Sequence, residues 1–97
     1  MPKKSTLDRA RADKDEGKSP STQAGEFVRE EMEKFKAGDP DIKSREQAVA
    51  IGLSKARRAG TDLPPPEPGE AKEETIRKAE RDYEKGQAEG PLADDDE

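Results

Sequence analysis

Apolar residues recur at helical spacing in a central stretch of the chain, and polar residues mark its two ends. Spacings of three, four and five residues place these apolar residues on one side of a helix. The apolar stripe consists of Ala48, Val49, Gly52, Leu53 and Ala56, and Ile51 and Ala59 make it wider. Ser44 and Gln47 form a capping-box pattern at the start. Gly60 suits the left-handed residue that follows a last helical turn. The pattern predicts a helix from Ser44 to Gly60.

A second amphipathic stretch precedes this helix and covers residues 26–37. Val28, Met32 and Phe35 fall at i, i+4 and i+7, with Phe27 beside them. Gly38 and Pro40 then end the helix, because proline cannot continue the hydrogen-bond ladder. Two such helices joined by a short loop should pack as an antiparallel hairpin over residues 26–60. Gly52 would let Phe27 or Phe35 approach closely.

The remaining chain carries fewer apolar residues, and four segments follow from its composition. We expect a disordered arm over 1–25, a proline-rich linker over 61–69, a charged helix over 70–86 and an acidic disordered tail over 87–97. The charged helix has one narrow apolar stripe, formed by Ile76, Ala79 and Tyr83. The predicted fold class is all-α: a small antiparallel helical hairpin with a possible third helix, flanked by disordered termini.

Composition supports this modest core. Of the 97 residues, 27% are hydrophobic, 44% are charged and 3% are aromatic, which is typical of chains that order only in part. Histidine and cysteine are absent, so disulfides, thiol or imidazole catalysis and the usual zinc ligands are excluded. We therefore expect a protein that is not an enzyme and uses no cofactor and no metal.

No long apolar run suggests a membrane segment or a secretory leader, so we expect a cytoplasmic protein. The net charge of −5 is unevenly distributed: +2 over residues 1–25, +1 over 26–60 and −8 over 61–97. The run of acids at 94–97 lacks the alternating ligands of a calcium loop, and a solvated tail is the better interpretation. Pro65 and Pro68 form a P-x-x-P pattern, for which a rigid linker is favoured over a ligand motif.

Two hypotheses for function remain. The first is a non-enzymatic accessory protein, either stress-associated and hydrophilic or binding a protein partner or a second copy through the apolar stripe of the hairpin. The residues of that stripe are Phe27, Val28, Met32, Phe35, Val49, Ile51 and Leu53. The alternative is an architectural nucleic-acid binder, which the acidic pI near 4.9 disfavours. Its contacts would be Lys43, Arg45, Lys55, Arg57 and Arg58.

One segment resembles a known family. Glu33-Lys34-Phe35-Lys36-Ala37-Gly38, followed by Lys43 through Gly60, is similar to the shared region of small bacterial proteins of unknown function. That region has the form E-F-K-x-G, a polar loop, and S-R-x-Q-A-I-A-I-A-L-S-x-A-R-x-A. The resemblance implies a bacterial, cytoplasmic helical hairpin and supplies no catalytic residues.

Overall fold

The computed structural model describes residues 2–93, which form an all-α fold. The helices are α1 (Lys4–Asp15), α2 (Pro20–Lys36), α3 (Arg45–Ala59) and α4 (Glu73–Glu89). The all-α class is confirmed. The helix count is not: the described residues contain four helices, where the sequence predicts two and a possible third.

α3 begins and ends where its capping residues predict. The Ser44 hydroxyl accepts the backbone N–H of Gln47 at 3.1 Å, and Gly60 adopts the left-handed conformation with φ of 106°. The capping box differs in one detail. The Gln47 side chain accepts the N–H of Lys43 and not that of Ser44.

α2 begins at Pro20, earlier than the predicted residue 26. The Ser19 hydroxyl accepts the N–H of Thr22 at 3.3 Å, and Pro20 occupies the first turn, where its missing N–H costs no hydrogen bond. The large apolar residues start only at Phe27, so their periodicity predicts too short a helix.

α1 occupies part of the arm, residues 1–25, that is predicted from the sequence to be disordered. It runs antiparallel to α2: the N–H of Lys3 donates to Glu30 Oε1 at 3.1 Å, and Arg9 pairs with Glu26 at 3.1 Å. Thr6 and Ala10 are fully buried between the helices. These contacts involve small and charged side chains, so the sequence has no stripe of large apolar residues that would predict α1.

α4 runs parallel to α3 and packs against it. Ser54, midway along α3, bonds to Asp82, while Gln87 donates to the carbonyl of Gly60. α4 continues through Gly86, which the sequence predicts as its last residue, to Glu89. Of the predicted acidic tail, residues 87–89 belong to α4 and residues 94–97 lie outside the described part of the chain.

A parallel pair of helices needs a long connection, and residues 60–72 provide it. The linker returns from the end of α3 to the start of α4, and Leu63 packs against the core on the way. Its course is fixed by Arg57, which donates to the carbonyls of Leu63 at 3.1 Å and Pro64 at 3.0 Å.

Each helix packs against its neighbours in sequence, and the residues after α4 also contact α1. The molecule measures 41 × 32 × 20 Å. Most core residues are small, which allows the helix backbones to approach closely; the core consists of Ala10, Ala24, Phe27, Ala56, Ala59 and Leu92. At Gly52 an added Cβ would lie 2.6 Å from Val28 Cα. The expected close approach therefore exists, but the Val28 backbone makes it, and not Phe27 or Phe35.

Candidate functional site

A groove of about 480 Å³ lies between α3 and α4 and is bordered by the linker. The buried Ala79 is a small residue that α4 contributes to this space. The apolar part of the lining comes from both helices and from the linker; it consists of Ala50, Ile51, Leu53, Pro66 and Ala79. We refer to this space as the α3/α4 groove.

A polar cluster around Asp82 joins the two helices within the groove. The Ser54 hydroxyl donates to Asp82 Oδ2 at 2.7 Å, and Lys78 Nζ donates to the same oxygen at 2.9 Å and to Ser54 Oγ at 2.9 Å. Arg58 Nε lies 3.9 Å from Asp82 Oδ1. The carboxylate, only 9% exposed, is thus engaged from both helices.

The groups around Asp82 stabilise its negative charge. Burial alone would raise the pKa of Asp82, but hydrogen bonds from Ser54 and Lys78 and the charges of Lys78 and Arg58 lower it below its ordinary value. The Ser54 proton is donated to Asp82, and Lys78 donates to both groups. These hydrogen bonds fix α4 on α3.

Cations outnumber acids along the α3/α4 groove. Its lining includes Lys55, Arg57, Arg58 and Lys78 but Asp82 alone among acidic residues. Two of these cations have partners outside the groove: Lys55 donates to Glu31 Oε2 at 2.7 Å, and the 8% exposed Arg57 is bonded to linker carbonyls. This excess of positive charge is confined to the groove, whereas the chain as a whole has a net charge of −5.

Two buried glutamates on α2 position Lys55 and anchor α1. Glu30 and Glu31 are each 2% exposed, and Lys34 lies 3.3 Å from the first and 3.4 Å from the second. Burial would raise the pKa of Glu30, but hydrogen bonds from Thr6, the Lys3 backbone and Lys34 lower it below its ordinary value. Donors from α1, α2 and α3 or their caps therefore hold the two carboxyl groups in the interior of the protein.

The residues of the apolar stripe predicted as the partner-binding surface lie in different environments in the structure. Phe27 is 1% exposed and belongs to the core, whereas Val49 is 40% exposed. Ile51 and Leu53 line the α3/α4 groove. The remaining members of the predicted stripe are half-buried; these are Val28, Met32 and Phe35.

The five predicted nucleic-acid contacts do not form one free surface. Lys43 and Arg45 are exposed at the start of α3. At its other end Lys55 and Arg57 are engaged as described above, and Arg58 faces Asp82.

Sequence reasoning missed the part of the site contributed by α4. Lys78 and Asp82 are spaced i, i+4, which signals a pair on one helix face, but nothing local indicates that Ser54 completes it. The sequence does not predict the contribution of Pro66 to the groove either, since that contribution depends on the path of the linker from α3 to α4.

Within residues 2–93, no group of three or more acidic, histidine or cysteine side chains is arranged to hold a metal ion. None of the helices in the same residues combines the length and apolarity that a membrane crossing requires.

Comparison with known proteins gives one match. Residues 19–67 match the model of DUF6496, a family of unknown function. The match covers about half of the chain, from the cap of α2 through α3 into the linker, and includes the segment quoted above for its resemblance. No curated protein and no solved structure matches the chain.

Proposed function

The chain belongs to the DUF6496 family, and from that premise we propose that it is a non-enzymatic binding protein whose α3/α4 groove holds an acidic amphipathic segment of a partner protein. The observation that carries this proposal is the combination of apolar lining and unbalanced positive charge in one groove. Apolar side chains of a bound helix would contact Ile51 and Leu53, while its carboxylates would lie near Arg58 and Lys78.

Electrostatics favour this class of partner over a nucleic acid. A duplex presents one negative charge per about 1.7 Å, so an acidic protein repels it along its whole length. A short segment with a few carboxylates avoids most of that repulsion. An apolar groove floor also has no use in contacting a phosphate backbone, whereas it stabilises a bound amphipathic helix by about 25 cal/mol per Å² of buried surface.

The test uses a fluorescein-labelled synthetic helix with leucine at i, i+3, i+4 and i+7 and glutamate elsewhere. Fluorescence anisotropy should show saturable binding that weakens as salt is raised. A peptide of the same length with lysine in place of glutamate should bind at least tenfold more weakly. Equal binding of the two peptides, or of neither, would overturn the proposal.

Two variants locate the interaction. Ala50→Asp places a carboxylate at an exposed position of the groove lining, so the fold should survive while peptide affinity falls. Arg58→Gln should weaken the salt dependence. Arg29→Gln removes an equally exposed arginine on α2 and should leave binding unchanged. A 20-base-pair duplex serves as the competing ligand: if it binds more tightly than the glutamate peptide, the nucleic-acid hypothesis replaces the present one.

A further inference from the structure

A second cavity, of about 330 Å³, lies where α1, the last turns of α3, α4 and the segment after α4 meet. Apolar residues from three of these elements and from the residues before α1 form part of its wall; they are Pro2, Leu7, Ala59 and Pro91. The rest of the wall is cationic and consists of Lys55, Arg58 and Lys85. No acidic residue from the described part of the chain lines it.

The position of the cavity is fixed by the segment that follows α4. The N–H of Leu92 donates to the carbonyl of Ala59 at 2.7 Å, and Arg11 of α1 donates to the carbonyl of Pro91 at 2.7 Å. Lys14 donates to the carbonyl of Leu92 at 2.6 Å. The segment is therefore tied to α1 and α3 at once, and the wall that it provides is held in place.

Positive charge in this cavity is only partly neutralised. Lys55 is paired with Glu31 at 2.7 Å, and Arg58 has one long contact of 3.9 Å with Asp82. The ammonium of Lys85 has no hydrogen-bond or ion-pair partner within residues 2–93. Arg58 retains unengaged guanidinium donors, which suit the paired oxygens of a carboxylate or phosphate.

We propose that this cavity binds a small anionic amphiphile, a carboxylate or phosphate monoester carried on an apolar chain. Its head would contact Arg58 and Lys85, and its chain would lie against Leu7 and Ala59. Since a water molecule occupies about 30 Å³, a cavity of this volume accepts roughly ten non-hydrogen atoms. The ligand is a free molecule and not a lipid headgroup in a bilayer, because an anionic membrane surface repels a chain of net charge −5.

The probe is octanoate, added to the full chain labelled with ¹⁵N and followed by amide shifts. A ligand of this size should bind with a Kd of about 1 mM, and the largest shifts should fall at Leu7, Ala59 and Lys85. Octyl phosphate should bind at least as tightly. Octanol and octylamine, of the same chain length but without negative charge, should bind about tenfold more weakly.

Variants separate this cavity from the α3/α4 groove. Lys85→Gln should weaken octanoate binding about five- to tenfold, since it removes the cation of this wall that has no partner within residues 2–93, and it should not alter binding of the glutamate peptide. Lys36→Gln, an exposed lysine of α2, is the matched control. Ala50→Asp should leave octanoate affinity unchanged.

Several results would overturn the proposal. Equal affinity for octanoate and octanol would show that charge plays no part. Shifts confined to other surfaces, or an unchanged affinity in Lys85→Gln, would show that the cavity is not the site. Co-sedimentation with vesicles containing phosphatidylserine, without binding of free octanoate or octyl phosphate, would replace the free ligand by a membrane surface.

Discussion

At the scale of single residues, the fold depends on polar groups buried with specific donors. Glu30 illustrates the balance, because burial disfavours its charge while donors from Thr6, Lys3 and Lys34 favour it more strongly. The sequence indicates the pair of Glu30 with Lys34 through its i, i+4 spacing. It does not indicate that Glu30 is buried, since the burial depends on α1.

Replacing Glu30 by glutamine should lower the free energy of unfolding by about 1–3 kcal/mol at pH 7. The pKa of Glu30 is lower in the folded state, so its stabilisation is present above its ordinary value of 4.5 and disappears as the pH falls through the folded-state pKa. Urea titrations at pH 7 and pH 3 should show the variant approaching the wild type at the lower pH. Glu33→Gln, at an exposed site of the same helix, should change stability little; an equal loss at both pH values for Glu30→Gln would contradict the argument.

Close backbone contact makes Gly86 irreplaceable. A Cβ at this position would overlap the carbonyl oxygen of Arg57, so Gly86→Ala should destabilise the protein by about 2 kcal/mol or more despite the better helix propensity of alanine. Gly25→Ala is the matched control, because its added Cβ meets no atom within 4 Å. It should stabilise the protein by about 0.5–1 kcal/mol. Thermal unfolding of both variants checks the opposite signs, and a stabilised Gly86→Ala would refute the packing.

At the scale of elements, local signals predict a helix and both of its ends only where a cap, an apolar stripe and a terminal glycine occur together in the sequence. α3 could be predicted from residue 44 to residue 60 because its cap, its apolar stripe and its terminal glycine all lie within it. α1 could not, because its buried residues are Thr6, Ala10 and Asp13, none of which marks an apolar face. The sequence predicts Ile51 and Leu53 as apolar members of the hairpin stripe, but it does not predict the groove that they line with α4.

The caps should contribute measurably to stability. Ser44→Ala and Ser19→Ala each remove a hydroxyl that accepts an N–H in the first turn, and each should cost about 1 kcal/mol. Ser21→Ala, at an exposed site in the first turn of α2, is the control and should be neutral. Chemical denaturation measures the three variants. A loss for Ser21→Ala as large as that for Ser44→Ala would show that capping is not the cause.

At the scale of the whole molecule, the residues after α4 connect α1 with α3. Leu92 is 2% exposed and belongs to the same core as Ala10 of α1 and Ala56 of α3. The carbonyls of Pro91 and Leu92 accept hydrogen bonds from Arg11 and Lys14 of α1. The segment after α4 is thereby joined to the first helix.

Leu92→Ala should therefore destabilise the protein by about 3 kcal/mol, since it leaves a cavity that the surrounding helices fill only in part. Val49→Ala removes a side chain that is 40% exposed and should cost less than about 1 kcal/mol. Calorimetric melting of both variants makes the comparison. Equal effects would show that Leu92 does not contribute to the core.

The parallel course of α3 and α4 also sets the order in which the molecule opens. α2 and α3 are joined by a short turn and share the core, whereas α4 must be brought back across residues 60–72 at the entropic cost of closing a longer loop. Part of its contact with α3 is the Asp82 cluster, in which Asp82 accepts from Ser54. Amide protons of α4 should consequently exchange with solvent deuterium faster than those of α3, and the gap should widen in Asp82→Asn. The protein then opens at α4 while α2 and α3 are still paired.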